Sequence, residues 1–171
     1  MSETGNYFYC SIDLTKEYSF ETHLLLELSP TGEILKSERF FHSNYSCCLD
    51  NYYEGFSKLG DYFGLITCGT GSGYCAGYLY LFKEILPQDA QHSIPQWYWS
   101  SLGEQFQRFS STMELKKDNL VVHYTVEDGE LDEGSTRNIK ETRKFDVRYG
   151  FKNNQWVTND TAKFEGLDIN W

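Results

Sequence analysis

Apolar and polar residues alternate with a period of two over much of the chain. Leu120, Val122, Tyr124 and Val126 interleave with Val121, His123, Thr125 and Glu127, the pattern of a half-buried antiparallel strand. Phe145, Val147, Tyr149 and Phe151 repeat it around Asp146 and Arg148, inside a strand expected over 139–151. Lys152-Asn153-Asn154 turns the chain back into 155–158, with Trp156 facing inward. A short strand at 112–116 and the turn Lys117-Asp118-Asn119 lead into this meander of three or four strands. Nearer the N-terminus, 6–14 and 21–29 read as strands, the second with Leu24, Leu26 and Leu28 on one face. Ser29-Pro30-Thr31-Gly32 is a turn signal, because Pro presets φ and Gly admits positive φ, and 33–42 returns as the hairpin partner. Segments 62–68 and 74–82 read as another hairpin around Gly69-Thr70-Gly71-Ser72-Gly73.

Two stretches change period. Tyr52, Phe56, Leu59 and Phe63 fall at helical spacing and predict a short helix over 51–60, capped by Asn51 and stopped by Gly60. Tyr98, Leu102, Phe106 and Phe109 predict a second helix over 96–109, opening behind Pro95. Gly103 lies inside it at a cost of roughly 1 kcal/mol against Ala. No repeat and no Pro-, Gly- or Ser-rich linker divides the chain. Residues 1–171 are therefore expected to form one domain, mainly β: an antiparallel β-sandwich or open barrel of about eight or nine strands with one or two short helices.

Composition narrows the function classes. The 4 Trp, 13 Tyr and 12 Phe supply a core and exclude a disordered, collagen-like or coiled-coil chain. With 25 acidic against 15 basic residues the net charge is -10, which opposes direct nucleic-acid binding and attraction to anionic membranes. Such a field draws in a basic protein partner, and it serves solubility equally well. Met1 to Asn6 has neither the basic start nor the apolar core of a secretory signal, and no apolar run approaches the ~20 residues that span a bilayer. The odd set Cys10, Cys47, Cys48, Cys68 and Cys75 then favours reduced thiols and a cytoplasmic location.

No pattern assigns a reaction. Gly69 to Gly73 has no following Lys for a phosphate loop, the wrong spacing for a dinucleotide fingerprint, and Thr70 where a nucleophile elbow needs Gly. A flexible hairpin tip is its ordinary reading. Cys47-Cys48 with His42 lacks the second pair that a zinc site prefers, so no metal and no cofactor are expected. Nothing in the sequence pairs His23, His42, His92 or His123 with a thiol, and no carboxylate pair is marked by its setting. The chain is accordingly read as a non-enzyme.

Two features point to a binding surface instead. Glu127, Asp128, Glu130, Asp132 and Glu133 crowd into seven residues between two strands, and are expected to form a loop. That loop is either merely solvated or a negative prong for a basic surface; the order of its acids is not that of a calcium-binding EF-hand loop. Trp97, Tyr98 and Trp99 are the candidate aromatic anchors, since Tyr and Trp combine an apolar body with a polar end.

In this character the chain is similar to small bacterial immunity proteins, such as those of contact-dependent growth inhibition. The resemblance rests on the short acidic chain, the aromatic-rich meander, the run Glu127 to Glu133, and the ending Phe145-Asp-Val-Arg-Tyr-Gly-Phe-Lys-Asn-Asn-Gln-Trp156. It implies a cytoplasmic protein that binds and blocks a cognate toxin, often a basic nuclease, and it carries over no individual residue. Two other readings stay open. One is a β-barrel or sandwich that binds a small apolar ligand, although the Gly-x-Trp near the N-terminus expected of lipocalins is absent and the first Trp is Trp97. The other is an enzyme of an unrecognised family.

Overall fold

The alternating stretch around Leu120 to Val126 lies in a strand that spans Asn119–Leu131 and pairs on both sides from Asn119 to Glu130. The computed structural model describes residues 2–4, 7–12, 20–43, 56–87, 90, 92–167 and 169. Twelve strands are described: β1 (Ser2–Thr4), β2 (Tyr7–Ile12), β3 (Phe20–Leu28), β4 (Ile34–Ser43), β5 (Phe56–Leu59), β6 (Tyr62–Gly71), β7 (Tyr74–Phe82), β8 (Ile94–Leu102), β9 (Gln105–Lys116), β10 (Asn119–Leu131), β11 (Arg137–Lys152) and β12 (Gln155–Val157). They form a four-stranded sheet, β1 to β4 in order, and an eight-stranded sheet, β5 to β12 in order. Every pairing is antiparallel, and each strand pairs only with its neighbours in sequence. The fold is mainly β, as expected, and its large sheet does not close into a barrel.

Both predicted helices give way to strands. Residues 51–55 lie outside the described set, and Phe56–Leu59 is β5, paired with β6 across the turn at Gly60, where φ is +62°. The stretch 96–109 is the β8–β9 hairpin, with Gly103 at φ +61° in its turn and Tyr98 directly opposite Phe109. Trp97, Tyr98 and Trp99 are strand formers, and the glycine that weakened the helix is what the hairpin turn requires. Among the described residues there is no α-helix, only a 3₁₀ turn at Thr161–Phe164. The 29–32 turn holds: Gly32 has φ +87°, and the Ser29 hydroxyl accepts from the Thr31 and Glu33 amides.

The large sheet curls on itself. A flat sheet would set β6 and β12, six strand spacings apart, at about 29 Å. Instead the Tyr62 ring on β6 lies 5.0 Å from Trp156 on β12 and 5.1 Å from Phe151 on β11. The bend has a local cause at the start of β8. Its ladder to β9 begins only at Trp97, and the register to β7 slips between Gly77 and Tyr78. Pro95 has no amide to donate, and the carbonyls of Pro95 and Gln96 accept instead from the hydroxyls of Tyr124 (2.8 Å) and Ser111 (2.6 Å).

The curl encloses the main core. Tyr62, Leu79, Leu81 and Ile94 meet Leu120, Val122, Tyr124, Val147, Tyr149 and Trp156 there, and Phe164 covers them from the 3₁₀ turn. Side chains that alternate with these on β6 and β7, namely Phe63, Leu65 and Phe82, point the other way. They pack with Leu25 of β3, Phe56 and Ile85 in a second cluster. β6 and β7 are thus buried on both faces, between the small sheet and the curled half of the large one. That is why they read as apolar runs rather than as clean alternation.

Candidate functional site

In an antiparallel meander alternate turns share an end. Ser72–Gly73, Gly103–Glu104 and 132–136 form one end of the large sheet, here called the rim. Gly60–Asp61, Lys117–Asp118 and Asn153–Asn154 form the other, the base. The rim holds the acidic run and Trp99. Its tips are laced together: Ser101 N donates to Gly73 O (2.7 Å) and Leu131 N to Glu104 O (2.6 Å). Gly73, at φ +73°, sits so close to Ser101 O that an added Cβ would lie 2.5 Å from it.

The acidic run departs from the expected loop. Residues 127–131 belong to β10, and only 132–136 turn. The reason is cross-strand charge pairing. Glu127 binds Arg108 of β9 opposite it. Asp128 accepts from Gln107 (2.6 Å) and faces Arg143 (3.6 Å), and Glu130 pairs with Lys140 (3.0 Å). Asp132 closes the turn, its Oδ1 accepting from the Gly134 and Thr136 amides. Each exposed pair contributes about 0–1 kcal/mol, but together they remove the repulsion that would hold such a run apart. Gly129 allows the close packing: a Cβ there would run into Asn138 O and lie 2.8 Å from the Phe106 ring. Of the five carboxylates, Glu133 alone has no partner among the described residues; Glu104 on the adjacent tip is likewise unpaired.

The three aromatic anchors separate. Tyr98 is 2 % exposed and belongs to the core, stacked edge-on to Phe109, so the expectation that it anchors a partner is corrected. Trp97 lies over Gly77, where a Cβ would run into its ring. Trp99 stacks on Phe106 at 5.0 Å and 17°, and the Arg137 guanidinium lies 4.9 Å from its ring. A cation over Trp is a favourable contact of about 0.5–1 kcal/mol at an exposed site. At the rim two exposed apolar residues were not marked by the sequence as surface: Leu102, 87 % exposed on the β8–β9 tip, and Ile139, opposite Gly129. A Leu directly before a turn glycine is the only sequence signal that marks the first.

At the base the charges work inward. The Tyr62 hydroxyl donates to Asp118 Oδ1 (2.5 Å), Lys83 Nζ donates to the same oxygen (2.9 Å), and Lys83 lies over the Tyr62 and Phe151 rings at 4.7 and 5.2 Å. Burial, then the bond to Asp118, raises the Tyr62 phenol to about 12. The Tyr62 and Lys83 bonds hold Asp118 below the usual carboxylate range, and the Asp118 bond raises Lys83. Beside this clasp lies a groove of about 350 Å³ lined by Leu59, Asp61, Tyr62, Met113, Leu115 and Lys117. On the outer face, His123 Nδ1 bonds Asp146 (2.7 Å) and its Nε2 lies 3.8 Å from Glu114.

Three further observations bear on function. Among the described residues no group of three or more His, Cys, Asp or Glu could hold a metal ion, and no helix is long and apolar enough to cross a membrane. Cys75 is disulfide-bonded, whereas reduced thiols were expected; Cys68 is a buried thiol, and across the β6–β7 ladder it faces Gly77 rather than Cys75. The net charge is not concentrated in the acidic run: residues 1–55 carry nine acids against three bases, and residues 56–171 sixteen against twelve. No family model, no curated protein and no solved structure matches the chain.

Proposed function

We propose that this chain is a non-enzymatic binding protein whose rim engages a basic protein, and that it inhibits that partner as an immunity protein neutralises a cognate toxin such as a nuclease. The observation that carries the reading is the composition of the rim. Exposed Leu102 and Ile139 and the Trp99–Arg137 stack stand beside Glu104 and Glu133, carboxylates without a partner among the described residues, on tips tied by backbone bonds. Trp and Arg are the residue types on which binding energy concentrates, and a tip already ordered loses little entropy on binding. Rim carboxylates add rate and selectivity toward a cationic surface.

The test is capture from lysate of the source cells at low salt, with release by rising salt. A basic protein, released at moderate salt, is the expected catch; its nuclease activity is then assayed with and without the chain. Glu104→Lys with Glu133→Lys is expected to weaken capture by about tenfold and to flatten its salt dependence. Capture unchanged by the reversals would overturn the rim as the binding surface. No basic protein at any salt would overturn the function.

A further inference from the structure

The base groove of about 350 Å³ lies between the β5–β6 turn and the lower part of β9. It forms where β8 leaves β9. Their ladder reaches down only to Trp97 opposite Ser110, while β9 continues to Lys116. Met113 and Leu115 lie in that continuation, opposite the fully buried Val122 and Leu120 of β10, so they stand on the core-facing side of the sheet. Yet Met113 is 36 % exposed, because the groove opens beside it. An unbranched, polarisable thioether in such a place is an adaptable apolar wall. Leu59 adds to the apolar lining from β5. The frame is set in advance: Tyr62 is held by Asp118, Phe151 and Trp156, and Gly60 (φ +62°) and Lys117 (φ +53°) sit in two-residue turns.

The charges that line the groove are not equivalent. Lys117 is one of the cations that hold the neighbouring Asp118 carboxyl below the usual range, so part of its charge is already answered. Asp61 is exposed and has neither a cation nor a hydrogen-bond partner among the described residues. Sites for small ligands run from about 300 to 1,000 Å³, and this groove falls at the lower end. Apolar walls with one uncompensated carboxylate suit a ligand that has an apolar body and a positively charged end. The net charge of -10 favours its approach. We propose that the base groove binds a small primary amine with an apolar body, the ammonium on Asp61 and the body among Leu59, Tyr62, Met113 and Leu115. This site takes a small molecule and does not rest on the protein partner proposed for the rim.

The methionines give a direct readout. The chain has only two, Met1 and Met113, so isotope labelling of their methyl groups gives two resonances, and Met113→Leu identifies the one in the groove. The probe is phenethylamine, protonated at neutral pH, whose aromatic ring shifts the resonance of any methyl group it packs against. Titrated into the full chain, it is expected to move the Met113 resonance saturably at millimolar concentration. Asp61→Asn is expected to weaken that binding about tenfold, the scale of a lost charge-assisted hydrogen bond. Phenylpropionate, with the same ring and a carboxylate in place of the ammonium, should bind more weakly by at least as much. Lys117→Gln should bind the amine no less tightly than the unaltered chain. Circular dichroism checks each fold, and Asp61→Ser serves if Asp61→Asn does not fold. A Met113 resonance that phenethylamine does not shift saturably would overturn the proposal. So would equal binding of phenylpropionate, an Asp61 variant that folds and binds the amine undiminished, or a Lys117→Gln chain that loses binding as the Asp61 variant does.

Discussion

The two ends of the large sheet carry similar residue types and use them in opposite ways. At the base, Lys83, Asp118 and Tyr62 point at one another and at the rings of Phe151 and Trp156, so charge and aromatic surface are spent on closing the curl. At the rim, cations and carboxylates pair sideways along β9, β10 and β11, and the tips beyond them expose Leu102, Glu104 and Glu133. A polar cluster tied to distant strands is part of the fold. A ladder of neighbours leaves its outermost members free to meet something else. The base should therefore govern stability and the rim recognition.

The largest effect should come from Trp156→Ala. This side chain is 2 % exposed and meets both Tyr62 and Phe151, so its removal is expected to cost about 3–5 kcal/mol in chemical denaturation. A loss below about 1 kcal/mol would mean that the curl does not depend on the base.

The alkaline limb of stability comes next. A phenol that ionises near 10.0 when unfolded and about 12 when folded loses its protons first in the unfolded chain. Stability from Tyr62 is then whole below pH 10 and falls as pH rises toward 12. Tyr149 is likewise raised to about 12, by burial, and adds to the same limb. Tyr62→Phe should make the decline between those values shallower without abolishing it. Asp118→Asn should act at the acid end: the depressed carboxyl contributes stability above its unfolded value near 4, lost as pH falls through the folded one. The gap between this variant and the unaltered chain should close below that point.

The smallest effect is expected at the rim. Glu133→Lys and Glu104→Lys should each shift stability by no more than about 0.5 kcal/mol, because neither carboxylate has a partner among the described residues. A larger destabilisation would place these residues in the fold and erase the contrast between the ends.

The sequence reveals these parts unequally. β10 and the inner half of β11 are legible because each buries one face, and a single buried face prints as alternation at Leu120 to Val126 and Phe145 to Phe151. The β8–β9 hairpin is not, because Tyr98 and Phe109 are cross-strand partners whose separation also fits helical turns; only Gly103 argues for the hairpin. In the acidic run the residues are visible but their state is not. Glu127, Asp128 and Glu130 become strand because of Arg108, Arg143 and Lys140, and register, not local spacing, sets those partners. Of Trp97, Tyr98 and Trp99, alternation alone sends the middle one inward, which the helical reading concealed. Leu102 is misplaced for the opposite reason: at helical spacing from Tyr98 and Phe106 it reads as core, whereas the hairpin sets it on an exposed tip.

The strict neighbour-to-neighbour order of β5 to β12 has a kinetic side. Every ladder in that sheet except β7–β8 can zip from its own tight turn, so little loop entropy must be surrendered before pairing is rewarded. The contacts of Tyr62 with Asp118 and Trp156, and of His92 with the Trp156 carbonyl, are among the exceptions, joining segments far apart in the chain. On this topology the sheet assembles as a ribbon first and curls afterwards. The barrier to leaving the native state then lies in prising the base open.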